Sequence, residues 1–77
     1  MLAPEQSRAA RAWLGWSQDQ LAGTAKVSVS TIRDFEAGKR APIANNLEAI
    51  RRAFEASGVT FESAGGIATG ITVRAPG

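Results

Sequence analysis

Cysteine and histidine are both absent from this chain of 77 residues. Without cysteine, a disulfide framework, a thiolate zinc site and a cysteine nucleophile are excluded. Without histidine, the chain lacks the commonest general base, and its serines and scattered carboxylates do not assemble a nucleophile, a base and an oxyanion site. We therefore expect no hydrolase or transferase activity and no cofactor.

Long apolar runs are missing as well. No stretch approaches the roughly 20 apolar residues that a membrane span needs. The amino terminus also lacks the charged start and the apolar core of a signal peptide. We therefore expect a protein of the cytoplasm with no membrane partner.

The residues that are present have an ordinary globular balance, with 44% hydrophobic and 21% charged residues. A chain of this length has room for one domain and a modest core, which buries about 60 to 65% of the unfolded surface. The net charge of +2 and the pI near 9.9 make the protein mildly basic. This balance suggests a polyanionic partner without establishing one.

Two helices are predicted in the first third of the chain. Pro4–Leu14 begins with a proline suited to a first helical turn and ends at Gly15, a left-handed stop. Ser17 and Gln20 then form the pattern of a capping box, which predicts the start of a second helix. The inward stripe of this second helix, which ends near Lys26, is predicted to be Leu21, Ala22 and Ala25.

A third and a fourth helix are predicted after a link of about three residues. Ser28 is the expected N-cap of a helix from Val29 to Ala37, and Gly38 is its expected stop. The stretch from Ile43 to Ser57 then has a helical apolar stripe, formed by Leu47, Ile50 and Phe54. The interpretation of the two tryptophans is that Trp13 belongs to the core and Trp16 to a hydrophobic staple.

The last part of the chain changes character. Residues 59–62 and 71–74 alternate apolar and polar, and the glycine-rich residues 63–70 lie between them. This pattern predicts a small β-hairpin with a long link. The fold is therefore expected to be mainly α, with a helical domain over residues 1–58 and a hairpin and tail over residues 59–77.

The second and third helices, joined by a tight turn, have the pattern of a helix-turn-helix. Over about residues 4–58 the sequence resembles the Cro/C1-type helix-turn-helix family, also called the xenobiotic-response-element family. The resemblance implies a lambda-repressor-like, four-helix DNA-binding domain. The sequence departs from the family pattern at two places. Lys26 stands where glycine is usual, and a predicted hairpin stands where the family usually has a fifth helix. The residues that carry it are Gln18, Leu21, Ala22, Val27, Ser28, Thr31, Ile32, Glu36, Gly38, Lys39, Arg40, Pro42, Leu47, Ile50, Ala53 and Phe54.

The resemblance implies that the third helix enters the major groove of double-stranded DNA while the second crosses the backbone. The residues in the positions of base readers are Val29, Ser30, Arg33 and Asp34. The residues expected at the DNA backbone are Gln18, Ser28, Thr31, Lys39 and Arg40. The resemblance also implies a structural ion pair between Arg11 and Glu36.

These assignments have simpler alternatives. Arg33 can donate two hydrogen bonds to a guanine, but Arg33 and Asp34 are also compatible with a solvated helix face. Lys39 and Arg40 suit phosphate, but they also suit the C-terminal end of a helix dipole. The function that we expect is a transcriptional regulator that acts as a repressor on a palindromic operator.

The apolar face of the hairpin needs cover, since a lone two-stranded hairpin is barely stable in water. It is expected either to pack on the fourth helix of its own chain or to pair through its edge with a second chain. We favour the second arrangement, a homodimer.

An alternative function is the antitoxin of a toxin–antitoxin pair, which would use the same DNA-binding core and bind a toxin protein through the C-terminal segment. The residues assigned to dimerisation are Val59, Phe61, Ile71 and Val73.

Overall fold

Four helices are followed by two antiparallel strands along the chain. The computed structural model describes residues 2–65 and 67–73. None of the helices in this part of the chain has the length and the apolar character needed to cross a membrane. The elements are α1 Pro4–Leu14, α2 Gln18–Ala25, α3 Val29–Glu36, α4 Ala44–Ala56, β1 Val59–Ala64 and β2 Ile67–Val73.

Local signals explain where α1 ends and where α2 begins. Gly15 has a φ of 70° and stops α1 in the left-handed conformation. Two residues later, the Ser17 hydroxyl accepts a hydrogen bond from the Gln20 amide at 3.0 Å. The Gln20 side chain in turn accepts from the Ser17 amide at 2.7 Å. The predicted capping box is therefore present and satisfies two of the amides that a helix start leaves unbonded.

The turn between α2 and α3 is built on a lysine. Lys26 has φ 59° and ψ 44°, so it takes the left-handed conformation in which the family usually has glycine. The Val27 amide then donates to the Ala22 carbonyl at 3.0 Å, which closes the turn. Ser28 caps α3 by accepting from the Thr31 amide at 3.2 Å. Lys26 therefore holds a left-handed conformation with a Cβ, which strains the turn.

The core lies where the helices meet the hairpin. The predicted stripe of α2 is buried, and so are Ile32 and Phe35 of α3. Helix α3 ends at Glu36, one residue before the predicted end. The largest completely buried apolar side chains come from α2, α3, α4 and β1, and they are Leu21, Ile32, Ile50, Phe54 and Val59.

The two tryptophans differ in their surroundings. The expectation that Trp13 belongs to the core is wrong, because this side chain is 67% exposed. Its helix meets the rest of the protein through Gln6, Ser7 and Ala10 instead. Trp16 packs against the core, with its ring stacked on that of Phe54 at a centroid distance of 5.7 Å.

The hairpin is longer and more tightly joined than predicted. Ala64 pairs with Ile67, so most of the expected link belongs to the strands. Between the pairs Glu62–Gly70 and Ser63–Ala68, the register shifts and leaves Thr69 as an extra residue, which makes a β-bulge. Backbone pairing forms these strands although their side chains alternate weakly. The predicted strand residue Arg74 lies outside the described residues.

The apolar face of the hairpin is covered by its own chain. Val59 is completely buried, and the Phe61 ring meets the Phe54 ring edge-on at 5.6 Å. Ile71 and Val73 are half-buried against the same core. The first of the two expected arrangements is therefore the one observed for this face. Val59 was assigned to dimerisation, and its side chain is completely buried within its own chain, so the strand edges are the part of the hairpin left for pairing with a second chain.

Gln6 attaches the hairpin to α1. The Gln6 side-chain amide donates to the Glu62 carbonyl at 2.9 Å and to the Gly70 carbonyl at 2.8 Å. Its oxygen accepts from the Ala3 amide at 2.9 Å. The residue is only 4% exposed, so these bonds replace the water that burial removes. One glutamine thus joins the start of α1 to both strands beside the bulge.

Candidate nucleic-acid interface

The outer side of α3 is polar at its N-terminal end. Ile32 and Phe35 are buried, whereas Ser30 and Arg33 are exposed. Asp34 is half-buried, and its backbone carbonyl accepts a hydrogen bond from the Lys39 amide at 2.9 Å. Val29 is also half-buried and packs against the core, so only part of its side chain faces outwards. The structure thus places all four expected base readers on α3, with Ser30 and Arg33 the most accessible.

A cleft of about 360 Å³ separates the start of α3 from the start of α4. The Ser28 and Thr31 hydroxyl oxygens lie 2.8 Å apart on one wall. Asn46 of α4 also lines the cleft, and the sequence argument missed it. The signal available for it was a pair of asparagines in the first turn of a helix that directly follows a basic loop. The expected DNA-contacting residues that meet here are Ser28, Ser30, Thr31, Asp34 and Arg40.

The basic loop after α3 is held by backbone bonds and leaves its side chains exposed. Gly38 has a φ of 74°, and the amides of Lys39 and Arg40 both bond to the carbonyl of Asp34, at 2.9 and 3.4 Å. Both basic side chains are exposed. Arg40 lines the cleft together with Ser30 and Thr31, so at least one positive charge of the loop lies beside the polar side of α3.

The end of α3 is anchored by its last residue. The carboxylate of Glu36 has a side-chain exposure of 2% and accepts from Arg11 Nη2 at 2.7 Å and from Arg11 Nε at 2.9 and 3.1 Å. The buried Ser7 hydroxyl donates to the same carboxylate at 2.6 Å. Arg8 donates to the backbone carbonyl of Glu36. Helix α1 therefore holds the C-terminal end of α3 through three side chains.

Ionisation of this pair is set by competing effects. Burial raises the pKa of Glu36, but hydrogen bonds from Arg11, Ser7 and Gln18 together outweigh burial, so the pKa lies below its ordinary value. The hydrogen bond to Glu36 raises the pKa of Arg11. Both groups are therefore charged at neutral pH, and the carboxylate has no unbonded oxygen.

Helices α2 and α3, joined by the tight turn at Lys26, have the arrangement of a helix-turn-helix. Residues 8–61 match the helix-turn-helix family model, which is more than half of the chain. The chain belongs to the Cro/C1-type helix-turn-helix family. No curated protein matches it. As a member of this family, the protein is a DNA-binding transcriptional regulator with a lambda-repressor-like domain.

The family match extends beyond the helices. It ends at Phe61, inside β1, so it includes the buried Val59 and the ring that packs on Phe54. Most of the hairpin lies beyond the match. In this Cro/C1-type domain, the start of the hairpin is thus part of the same core as the helix-turn-helix.

Gln18, which is expected to contact the DNA backbone, also bonds to the ion pair of Arg11 and Glu36. Its side-chain amide nitrogen lies 3.2 Å from Glu36 Oε1. The remaining expected contacts lie on the side of α3 or on the basic loop. Within residues 2–65 and 67–73, no cluster of acidic side chains could hold a metal ion.

Proposed function

We propose that this Cro/C1-type regulator is a cytoplasmic repressor that binds a palindromic operator as a homodimer. The observation that carries the proposal is that α3 has one buried side and one exposed polar side. Its buried residues, Ile32 and Phe35, lock the helix onto α2 and the core, while Ser30 and Arg33 remain exposed at its start. A helix held in this way can enter the major groove without rearrangement.

Base recognition is assigned to the N-terminal outer side of α3. Arg33 can donate two hydrogen bonds to the O6 and N7 of a guanine, and Ser30 can donate or accept at several bases. The exposed part of Val29 can contact a thymine methyl group, and Asp34 can accept from a cytosine amine. Each good two-bond contact distinguishes bases by about 1 to 3 kcal/mol.

Backbone contacts are assigned to the residues around this side of α3. Phosphate binding by Arg40 is supported by its place in the cleft beside the hydroxyls of Ser28 and Thr31, and phosphate binding by Lys39 by its exposure on the same loop. If Gln18, Thr31, Lys39 and Arg40 each meet a phosphate in both subunits, about eight contacts give a log–log salt slope near −7. These contacts set affinity and register but carry no sequence information.

The homodimer is proposed because one helix-turn-helix reads few base pairs. Two copies place their recognition helices about 34 Å apart on one side of the duplex. The inner face of the hairpin is covered, so pairing between strand edges is the route that the hairpin leaves open. An antitoxin would use the same DNA-binding surface and would also bind a toxin protein. No feature of the described residues favours binding of a toxin.

The experiment is selection of bound fragments from random DNA duplexes, followed by the same selection with Arg33→Ala. We expect a palindromic sequence preference from the parent and a relaxed preference at one position per half-site from the variant. Arg52→Ala is the matched control, because Arg52 is 75% exposed on α4. An unchanged preference in Arg33→Ala would remove Arg33 from base recognition, and a parent without any preference would contradict the proposal itself.

A further inference from the structure

We propose that two copies of this chain join through a reciprocal contact, in which Trp13 of each copy enters a groove of the other. The groove lies between α1 and β2. The inference deepens the proposed homodimer and rests on it, because it names the surface through which the two copies meet. This surface is a helix face with the groove beside it, so the contact differs from pairing between strand edges.

The groove has a volume of about 380 Å³. Glu5 and Ala9 line its helix side, and Ala68 and Gly70, which have little or no side chain, line its strand side. The Gln6 side chain bonds to a carbonyl of each strand, so the two sides of the groove are held at a fixed separation. An apolar cavity of about 150 Å³ can hold a benzene molecule. The groove therefore has room for an indole ring.

Trp13 projects from the groove side of α1. A helix turns by about 100° per residue, so Trp13 lies about 40° around the axis from Ala9, and Gln6 lies about 60° from Ala9 in the same direction. Ala9 and Gln6 both line the groove. The Trp13 side chain is 67% exposed, so its own chain covers only a minor part of the ring. One surface thus has both a large exposed ring and a groove of suitable size.

A two-fold axis at Ala9 turns this surface into a closed contact. If two α1 helices pack antiparallel about such an axis, Trp13 lies opposite Glu5 of the second copy, because each residue is about 6 Å along the helix from Ala9. Each ring then meets the groove of the other copy. Ala9 is exposed and small, so the two helices can approach closely. The indole N–H needs an acceptor when it is buried, and the Glu5 carboxylate at the groove supplies one.

The area of this contact suits a dimer of the same chain. A tryptophan ring buries about 150 to 250 Å² in a close-packed contact. Two rings and the two grooves that receive them therefore account for about half of the roughly 1,200 Å² that a small stable interface buries. The exposed face of α1 between the two rings adds to this area. A second copy supplies both the ring and the groove, whereas a different partner would need to present each of them separately.

The test removes the ring and fills the groove in separate variants, and sedimentation equilibrium without DNA measures the dissociation constant of the dimer. Trp13→Ala should raise this constant by about thirtyfold or more, as expected for a buried aromatic anchor. Ala68→Leu should raise it too, because Ala68 is exposed on the hairpin face that it shares with Ile71. The matched controls are Ile43→Ala, since Ile43 is 70% exposed outside this surface, and Thr60→Leu, on the other face of the hairpin. Both controls should leave the constant unchanged.

A mixture of the two variants separates this contact from a general loss of folding. The Trp13→Ala protein keeps an intact groove, and the Ala68→Leu protein keeps an intact ring. One of the two reciprocal contacts therefore forms in the mixed dimer and none forms in either variant dimer. An equimolar mixture should associate at concentrations at which each variant is a monomer.

Three results distinguish the failure of this contact from the failure of the proposed function. A monomeric parent would overturn both the contact and the proposed homodimer. A dimer that persists unchanged in Trp13→Ala and Ala68→Leu would overturn the contact and leave strand-edge pairing as the route. A dimer that both variants weaken, in a parent that selects no DNA sequence, would support the contact and contradict the proposed function.

Discussion

The guanidinium of Arg11 meets the carboxylate of Glu36 side-on, with Nη2 2.7 Å from Oε1 and Nε 2.9 Å from Oε2. This two-bond geometry is the strongest arrangement available to the pair. It joins α1 to the last residue of the recognition helix, and the Glu36 carboxylate is almost completely buried. The position of α3 therefore depends on a charge pair as well as on apolar packing.

Glu36→Ala should strongly destabilise the fold. The change leaves Arg11 and Ser7 without their acceptor, and removing one partner of a buried pair costs about 3 to 5 kcal/mol. Small domains are stable by only about 5 to 15 kcal/mol, so much of the variant should be unfolded at moderate urea concentrations. Urea unfolding followed by circular dichroism measures the loss. Glu55→Ala is the control, because Glu55 pairs with Arg51 on the surface of α4, and little change is expected there. A Glu36→Ala midpoint close to that of the parent would contradict the prediction.

Stability should fall in acid through the same carboxylate. The pKa of Glu36 is lowered in the folded state, from about 4.3 in an unfolded chain. The unfolded state therefore takes up the proton first as the pH falls. The contribution of Glu36 is complete above about pH 5 and is lost as the pH passes through the lower, folded value.

Thermal midpoints between pH 7 and pH 3 measure this loss, with Glu36→Gln as the comparison. The variant should have a lower midpoint at pH 7 and a shallower decline in acid, because it has no carboxylate to protonate at this position. Glu48 also has a lowered pKa, but it contributes to both proteins equally. Parallel declines in the two proteins would show that Glu36 does not govern the acid response.

Gln6→Met should loosen the hairpin. The change removes the donors to the Glu62 and Gly70 carbonyls, which are part-buried, and a cost of about 1 kcal/mol is expected. Hydrogen exchange should quicken at the amides of β1 and β2 more than at those of α2. Arg52→Met, on the exposed side of α4, serves as the control. Exchange that quickens equally in all elements would mean that Gln6 supports the whole fold rather than the hairpin.

Lys26→Gly should stabilise the protein. Lys26 is exposed and has a φ of 59°, a conformation that costs a residue with a Cβ about 1 to 2 kcal/mol. Part of this gain is offset by the greater freedom of glycine in the unfolded chain, so a net gain below about 1 kcal/mol is expected. Gly15→Ala, at a φ of 70° with open space around the added Cβ, should have the opposite sign. A lower thermal midpoint for Lys26→Gly would show that the lysine side chain stabilises the turn.

The helix-turn-helix was predictable from the sequence because its determinants are local. Ser17 and Ser28 each bond to an amide three residues further along the chain, so their role as caps depends only on neighbours. The helical spacing of apolar residues likewise predicted the buried stripe of α2. The expected DNA contacts came from the same motif, and they remain proposals because no local pattern shows what a side chain binds.

Only the tertiary structure decided which faces and which polar groups meet. Trp13 was expected in the core and is exposed, whereas Phe61 was assigned to a dimer contact and packs on Phe54 of its own chain, because spacing defines a face without showing what covers it. The strand ends were likewise set by backbone pairing across the hairpin rather than by side-chain alternation. Gln6 bonds to carbonyls that lie 56 and 64 residues further along the chain. Such bonds form only when α1 packs against the hairpin, so no local sequence pattern predicts them.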